Sequence, residues 1–176
     1  YSYAIALRNR TADAAFVIDK TPLNFLYIGL IAKALPNAKI IHVMRDKMDV
    51  GFAMYKTLFR MGYPFSYDLE DIARYILAKD AMMDHWRTVL SGRIIDVAYE
   101  DLVARQEDES RRLIAEIGVD WDPACLEFDK NETATATASA AQVRSPVYNS
   151  SVGKWKHYEA QLKPLALALG ISNEAS

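Results

Sequence analysis

Lys39-Ile-Ile-His-Val-Met-Arg-Asp-Lys-Met-Asp-Val-Gly-Phe-Ala-Met-Tyr55 decides how this chain is read. Its first residues predict a buried strand that ends on Arg45, and the residues that follow predict a helix. A cation at the carboxyl end of a strand, where a helix begins, makes an anion site. The helix offers free N–H groups and a partial positive charge, and the guanidinium adds a bidentate fork. Ligands of open α/β sheets bind at that edge. The stretch therefore points to a phosphate or sulfate group.

Working outward, Ala15-Phe-Val-Ile18 predicts a short strand, turned by Asp19-Lys20-Thr21-Pro22. Residues 24–35 carry a helical apolar face closed by Pro36-Asn37, and a further helix is expected from Lys47 to Arg60. Met61-Gly-Tyr-Pro-Phe65 reads as a loop. Residues 68–90 predict a long helix with Ile72, Tyr75, Ile76, Met82, Met83 and Trp86 near one face. Ile94–Ala98 predicts another strand, Tyr99–Leu102 a short helix, and Glu107–Ile117 a helix stopped by Gly118. Residues 131–151, rich in Thr, Ala and Ser, read as loop. Val152–Leu169 reads as helix with Trp155, Tyr158, Leu162 and Leu165 on one side. Strands alternating with helices predict an α/β fold, a parallel sheet with crossover helices.

The 176 residues suffice for one domain with a real core, and neither a repeat nor a linker divides them. A net charge of −2 gives no general attraction for nucleic acid, so an anion site must be local. The single cysteine, Cys125, excludes an intrachain disulfide; with the scattered His42, His85 and His157 it forms no metal-ligand pattern. The longest apolar run, Phe25–Leu35, carries Lys33 and is too short to span a bilayer. No signal peptide is recognisable. The chain opens without Met inside an apparent helix, Tyr3–Leu7, which suggests that an N-terminal part of a longer protein precedes it.

Each candidate residue has an ordinary reading beside the functional one. Arg45 binds an anion or pairs with Asp46 or Asp49. Asp46 is most simply a helix N-cap and Asp49 a first-turn acid. Lys20 ends an expected strand beside that of Arg45; alone, a solvated lysine is the simpler reading. Tyr99 follows a third strand, where packing competes with stacking on a base. Lys154-Trp155-Lys156 opens a helix after the Ser/Thr-rich loop, with a buried Trp between solvated lysines as the plainer account. His42 reads as packed rather than catalytic. Neither a Gly-x-x-x-x-Gly-Lys-Ser/Thr loop nor a Gly-x-Gly-x-x-Gly motif is present, and no nucleophile elbow.

Four anchors, taken in order, resemble the sulfotransferase family through nearly the whole chain. They are Asp19-Lys-Thr-Pro-Leu-Asn-Phe25, Pro36-Asn-Ala-Lys-Ile-Ile-His-Val-Met-Arg-Asp46, Tyr99-Glu-Asp-Leu102, and Ser139-Ala-Ala-Gln-Val-Arg-Ser-Pro-Val-Tyr-Asn-Ser-Ser-Val-Gly-Lys-Trp155. The nearest branch joins tyrosylprotein sulfotransferases to bacterial sulfotransferases fused to tetratricopeptide repeats. The resemblance implies a P-loop-kinase-like parallel sheet flanked by helices. It also implies sulfuryl transfer from 3′-phosphoadenosine-5′-phosphosulfate to a hydroxyl or amine of a small molecule or peptide. By motif, Arg45 would bind the donor's 3′-phosphate and Tyr99 would contact the adenine side. Lys20 would stabilise the transferring sulfuryl and bridging oxygen, with Ser139 near that group and Lys154 at the phosphates. Such transfer is in-line, and its catalysis is mostly positioning and cationic stabilisation, with no metal required.

Departures from the family pattern matter. Its usual Ser at the position of Ala53 is absent, which removes a hydroxyl from the 3′-phosphate; neighbouring N–H groups or Lys56 are the available substitutes. Lys47 stands where Pro is frequent and adds a charge. The family's phosphosulfate loop and catalytic acid lie upstream of all four anchors. Residues 1–176 are therefore expected to be the C-terminal portion of a single domain lacking the N-terminal strand and that loop, inactive alone. Tetratricopeptide repeats would precede it in a cytoplasmic bacterial parent. The alternative is a non-catalytic module of the same fold that holds a nucleotide or partner; Ala53 favours it mildly. A kinase relative is disfavoured, because a kinase needs no 3′-phosphate site.

Overall fold

The computed structural model describes residues 16–59, 62–127 and 150–171. The expected helix at Tyr3–Leu7 and nearly all of the 131–151 segment, Ser139 included, lie outside them. A 3₁₀ turn, Asn24–Tyr27, leads into α1 (Ile28–Ala34). There follow β1 (Ile40–Met44), α2 (Lys47–Tyr55), a 3₁₀ turn at Pro64–Tyr67 and α3 (Leu69–Val89). β2 (Ile94–Ala98) runs directly into α4 (Tyr99–Ala104) and α5 (Gln106–Ile117). Two 3₁₀ segments, Pro123–Leu126 and Lys154–Tyr158, precede the last helix, α6 (Lys163–Ala168).

β1 and β2 pair in parallel, with Ile40 opposite Ile94 and Met44 opposite Ala98. The connection between them carries α2 and α3, the long crossover that parallel strands need. The fold is thus mixed α/β, a small parallel sheet flanked by helices, as expected.

The core lies between α2, α3 and α6. Met48, Ile72, Ala73, Ile76, Leu162, Leu165 and Ala166 are buried together. α3 begins sharply because Asp68 caps it, accepting from the N–H groups of Glu70 and Asp71. Its buried positions, 72, 73, 76 and 83, keep helical spacing. Gly51 lets α6 approach α2 closely: a Cβ there would stand 2.5 Å from Leu165 Cδ2. This core fixes the start of α2, and hence Arg45.

Four expectations change. Residues 16–18 form no strand: Ile18 is 92% exposed and the run pairs with neither β1 nor β2. An apolar run becomes a strand only when a neighbour takes its backbone groups. β1 is not buried throughout; Ile41 and Val43 are exposed while Ile40, His42 and Met44 are half-buried, with His42 and Met44 against Lys79 and Arg87 of α3. α2 stops at Tyr55 rather than Arg60. The Thr57 hydroxyl donates to the Ala53 carbonyl at 2.6 Å and competes for the helical ladder. The expected 152–169 helix is broken as well: Gly153 sits at φ +69°, a 3₁₀ segment follows, and Pro164 starts a new helix.

Candidate functional site

The parallel register decides the site. With Met44 opposite Ala98, the next residues, Arg45 and Tyr99, leave the two strands side by side at their carboxyl ends. The Arg45 guanidinium lies 4.9 Å from the Tyr99 ring centroid, a cation–π contact. One terminal nitrogen of Arg45 donates to the Ser151 carbonyl, and the same nitrogen stands 3.9 Å from Asp49. Arg45 Nε is buried and has no acceptor among the described residues. A buried donor left without a partner is costly, and an anionic ligand would satisfy it.

α2 starts where its sequence says it should. The Asp46 side chain accepts from the Asp49 N–H at 2.9 Å, and the Asp46 N–H donates to Glu100 at the start of α4. Asp49, 2% exposed, does more than its first-turn position suggests. Its carboxylate accepts from the Gly153 N–H at 2.6 Å and from the Trp155 N–H at 3.3 Å. It thereby holds the turn that carries Lys154. Lys154 is exposed at the first position of its 3₁₀ segment. The structure thus joins Arg45, Tyr99 and the Lys154 turn, through Ser151 and Asp49.

The remaining candidates fall around this centre. Lys47 pairs with Asp80 of α3 at 2.8 Å, so its charge is neutralised there. Burial alone would raise the Asp80 carboxyl; hydrogen bonds from Lys47 and Lys79 outweigh it and hold the group below the usual range. Ala53 is one helical turn beyond Asp49 on α2, and Lys56 lies over the Phe52 ring at 5.2 Å. Lys20 is exposed in the 16–20 segment, which joins no strand, and it makes no hydrogen bond or ion pair among the described residues. Ser139 is outside them.

A second polar cluster lies where α3 covers the sheet. His42 and Asp96 are register partners, joined Nδ1 to Oδ1 at 2.8 Å. A carboxylate only accepts and an ammonium only donates, so Nδ1 carries the proton while Nε2 faces Lys79 at 3.4 Å. Arg87 grips Asp96 with two donors at 2.9 Å. Burial lowers the His42 pKa despite Asp96, and the Arg87 hydrogen bond lowers that of Asp96. His42 is packed, as expected, and the network fixes α3 on the sheet.

The sequence reading offered Asp49 as a first-turn acid and a partner for Arg45, but not as the group that holds the 153–155 turn, and it gave Glu100 and Ser151 no role. The i, i+4 spacing of Arg45 and Asp49 was the one available sign. Glu100 and Ser151 act through long-range contacts that no local pattern displays.

The sequence pattern described as the sulfotransferase family matches residues 2–123. An uncharacterised protein of Aquifex aeolicus is 36% identical over 85% of this chain and 20% of its own length. A protein-tyrosine sulfotransferase of Drosophila melanogaster is 25% identical over 78% of this chain and 29% of its own. The chain therefore spans less than a third of either relative. A sulfotransferase domain from the curacin biosynthetic pathway superposes with a TM-score of 0.69 at 19% identity, over 97% of this chain and 68% of that domain. The shared architecture is the P-loop-kinase-like α/β fold. No helix among the described residues is long and apolar enough to cross a membrane.

Proposed function

Because this chain belongs to the sulfotransferase family, we propose that its Arg45 centre is the nucleotide-holding half of a sulfotransferase that uses 3′-phosphoadenosine-5′-phosphosulfate. Residues 1–176 would be the C-terminal portion of that single domain. The observation that carries this reading is Arg45: it directly follows β1, it is braced by Tyr99 and Ser151, and its buried Nε lacks an acceptor among the described residues. When bound, the donor supplies the sulfuryl group. Arg45 would hold its 3′-phosphate as a fixed bidentate fork. Tyr99 would brace Arg45 and border the adenine, and exposed Lys154 would meet the phosphates. Lys20 would follow charge developing on the leaving oxygen, with Ser139 near the sulfuryl group. The acceptor would be a hydroxyl or amine of a small molecule or peptide, and tetratricopeptide repeats would accompany the domain in the parent chain.

Ala53 favours one second reading, a module that keeps the nucleotide but transfers nothing. The protein in its full natural length, given donor and phenolic, amine and peptidyl-tyrosine acceptors, separates the two. Release of adenosine 3′,5′-bisphosphate coupled to acceptor sulfation is expected. Tight binding of that nucleotide without turnover would establish the module instead, and no binding at all would remove both.

A further inference from the structure

We infer that Asp49 is a positioning residue that couples Arg45 to Lys154, so that the two cations act on a bound nucleotide as one unit. The inference rests on the nucleotide reading above. A closed circuit of contacts carries it. Arg45 donates to the Ser151 carbonyl; the turn continues through Gly153, whose N–H donates to Asp49; and the Asp49 carboxylate stands 3.9 Å from the Arg45 guanidinium. The Asp49–Gly153 hydrogen bond spans 104 residues of sequence. A second bond, from the Trp155 N–H, fixes the other carboxylate oxygen, so the carboxylate grips both sides of Lys154.

Chemistry favours this role over a direct one. A carboxylate repels phosphate, and Asp49 is too buried to meet solvent or ligand. What it can do is satisfy two otherwise unpaired N–H groups where Gly153 takes its left-handed turn, and so hold the backbone of Lys154 in the turn that Arg45 also contacts through Ser151. An Asn at position 49 keeps the shape but turns a donor toward one of those N–H groups. Gly153→Ala strains the same turn through its positive φ, and its Cβ would meet only the Lys156 side chain, not the carboxylate.

The test is calorimetric titration with adenosine 3′,5′-bisphosphate, with circular dichroism and the thermal midpoint as checks on folding. Asp49→Asn and Gly153→Ala should each weaken binding roughly tenfold. Arg45→Ala and Lys154→Ala should be non-additive in the native background and additive in Asp49→Asn. That change in coupling is a readout that loss of stability does not move. If Asp49→Asn does not fold, Gly153→Ala with the same pair decides. Unchanged affinity and unchanged coupling, in a protein whose Arg45→Ala and Lys154→Ala variants each bind more weakly, would overturn the role of Asp49 alone. A native protein that does not bind the nucleotide would overturn the nucleotide reading, and this inference with it.

Discussion

The guanidinium of Arg45 lies 4.9 Å from the ring centroid of Tyr99, so the carboxyl ends of two paired strands are joined side chain to side chain. The contact follows from register: a one-residue slip would pair Arg45 with the wrong face of β2. A cation–π contact of this kind is worth about 0.5–2 kcal/mol. Tyr99→Phe should keep affinity for adenosine 3′,5′-bisphosphate within about twofold, whereas Tyr99→Ala should lose roughly three- to thirtyfold. Equal losses in both variants, measured by calorimetry, would shift the role of Tyr99 from its ring to its hydroxyl.

Gly51 and Leu165 test the packing that holds α2. Alanine is normally the better helix residue by about 1 kcal/mol. Here its Cβ would meet a fully buried Leu165 at 2.5 Å, so Gly51→Ala should destabilise the protein by about 1–3 kcal/mol. In a Leu165→Ala background the sign should reverse, because the clash is gone. Denaturant unfolding of the four proteins in this cycle reads both signs.

Stability should fall in two stages as pH drops. Burial keeps folded His42 from taking a proton that the unfolded chain accepts, so stability is full above about pH 6.5 and begins to fall below it. Asp96 and Asp80 have folded values below the usual carboxylate range, so the stability they add is lost only in stronger acid. His42→Asn, which can still donate to Asp96, should abolish the first stage and leave the second. An unchanged slope between pH 7 and pH 5 in that variant would show that another group sets it.

Ala53 stands on α2 one turn beyond Asp49, where the family often carries a hydroxyl. A neutral hydrogen bond contributes about 0.5–1.5 kcal/mol. Ala53→Ser should tighten nucleotide binding by up to roughly tenfold. A loss of affinity would mean that position 53 faces packing rather than ligand.

Much of this structure was legible because it is local. β2 occupies residues 94–98 as expected, Asp68 caps the long helix, and Gly118 ends α5 in a left-handed turn. Arg45 stood out because a strand–cation–helix junction is written in consecutive residues. What failed depends on partners. The apolar run 16–18 reads as a strand, yet a strand exists only with a neighbour to pair. The 152–169 periodicity is real, and Leu162 and Leu165 are buried, but Gly153 and Pro164 divide it into pieces. Asp49 looked like a dipole-facing acid because the N–H groups it serves are more than a hundred residues away.

The central claim is that Arg45 is the anchor for a nucleotide phosphate. Titration of the native protein and of Arg45→Ala with adenosine 3′,5′-bisphosphate, and with adenosine 5′-monophosphate as the control lacking the 3′-phosphate, tests it most directly. Loss of a charge-assisted bidentate contact should weaken the bisphosphate by roughly ten- to a hundredfold. The monophosphate should bind weakly to both and scarcely change. Equal affinity of native protein and Arg45→Ala for the bisphosphate would contradict the account.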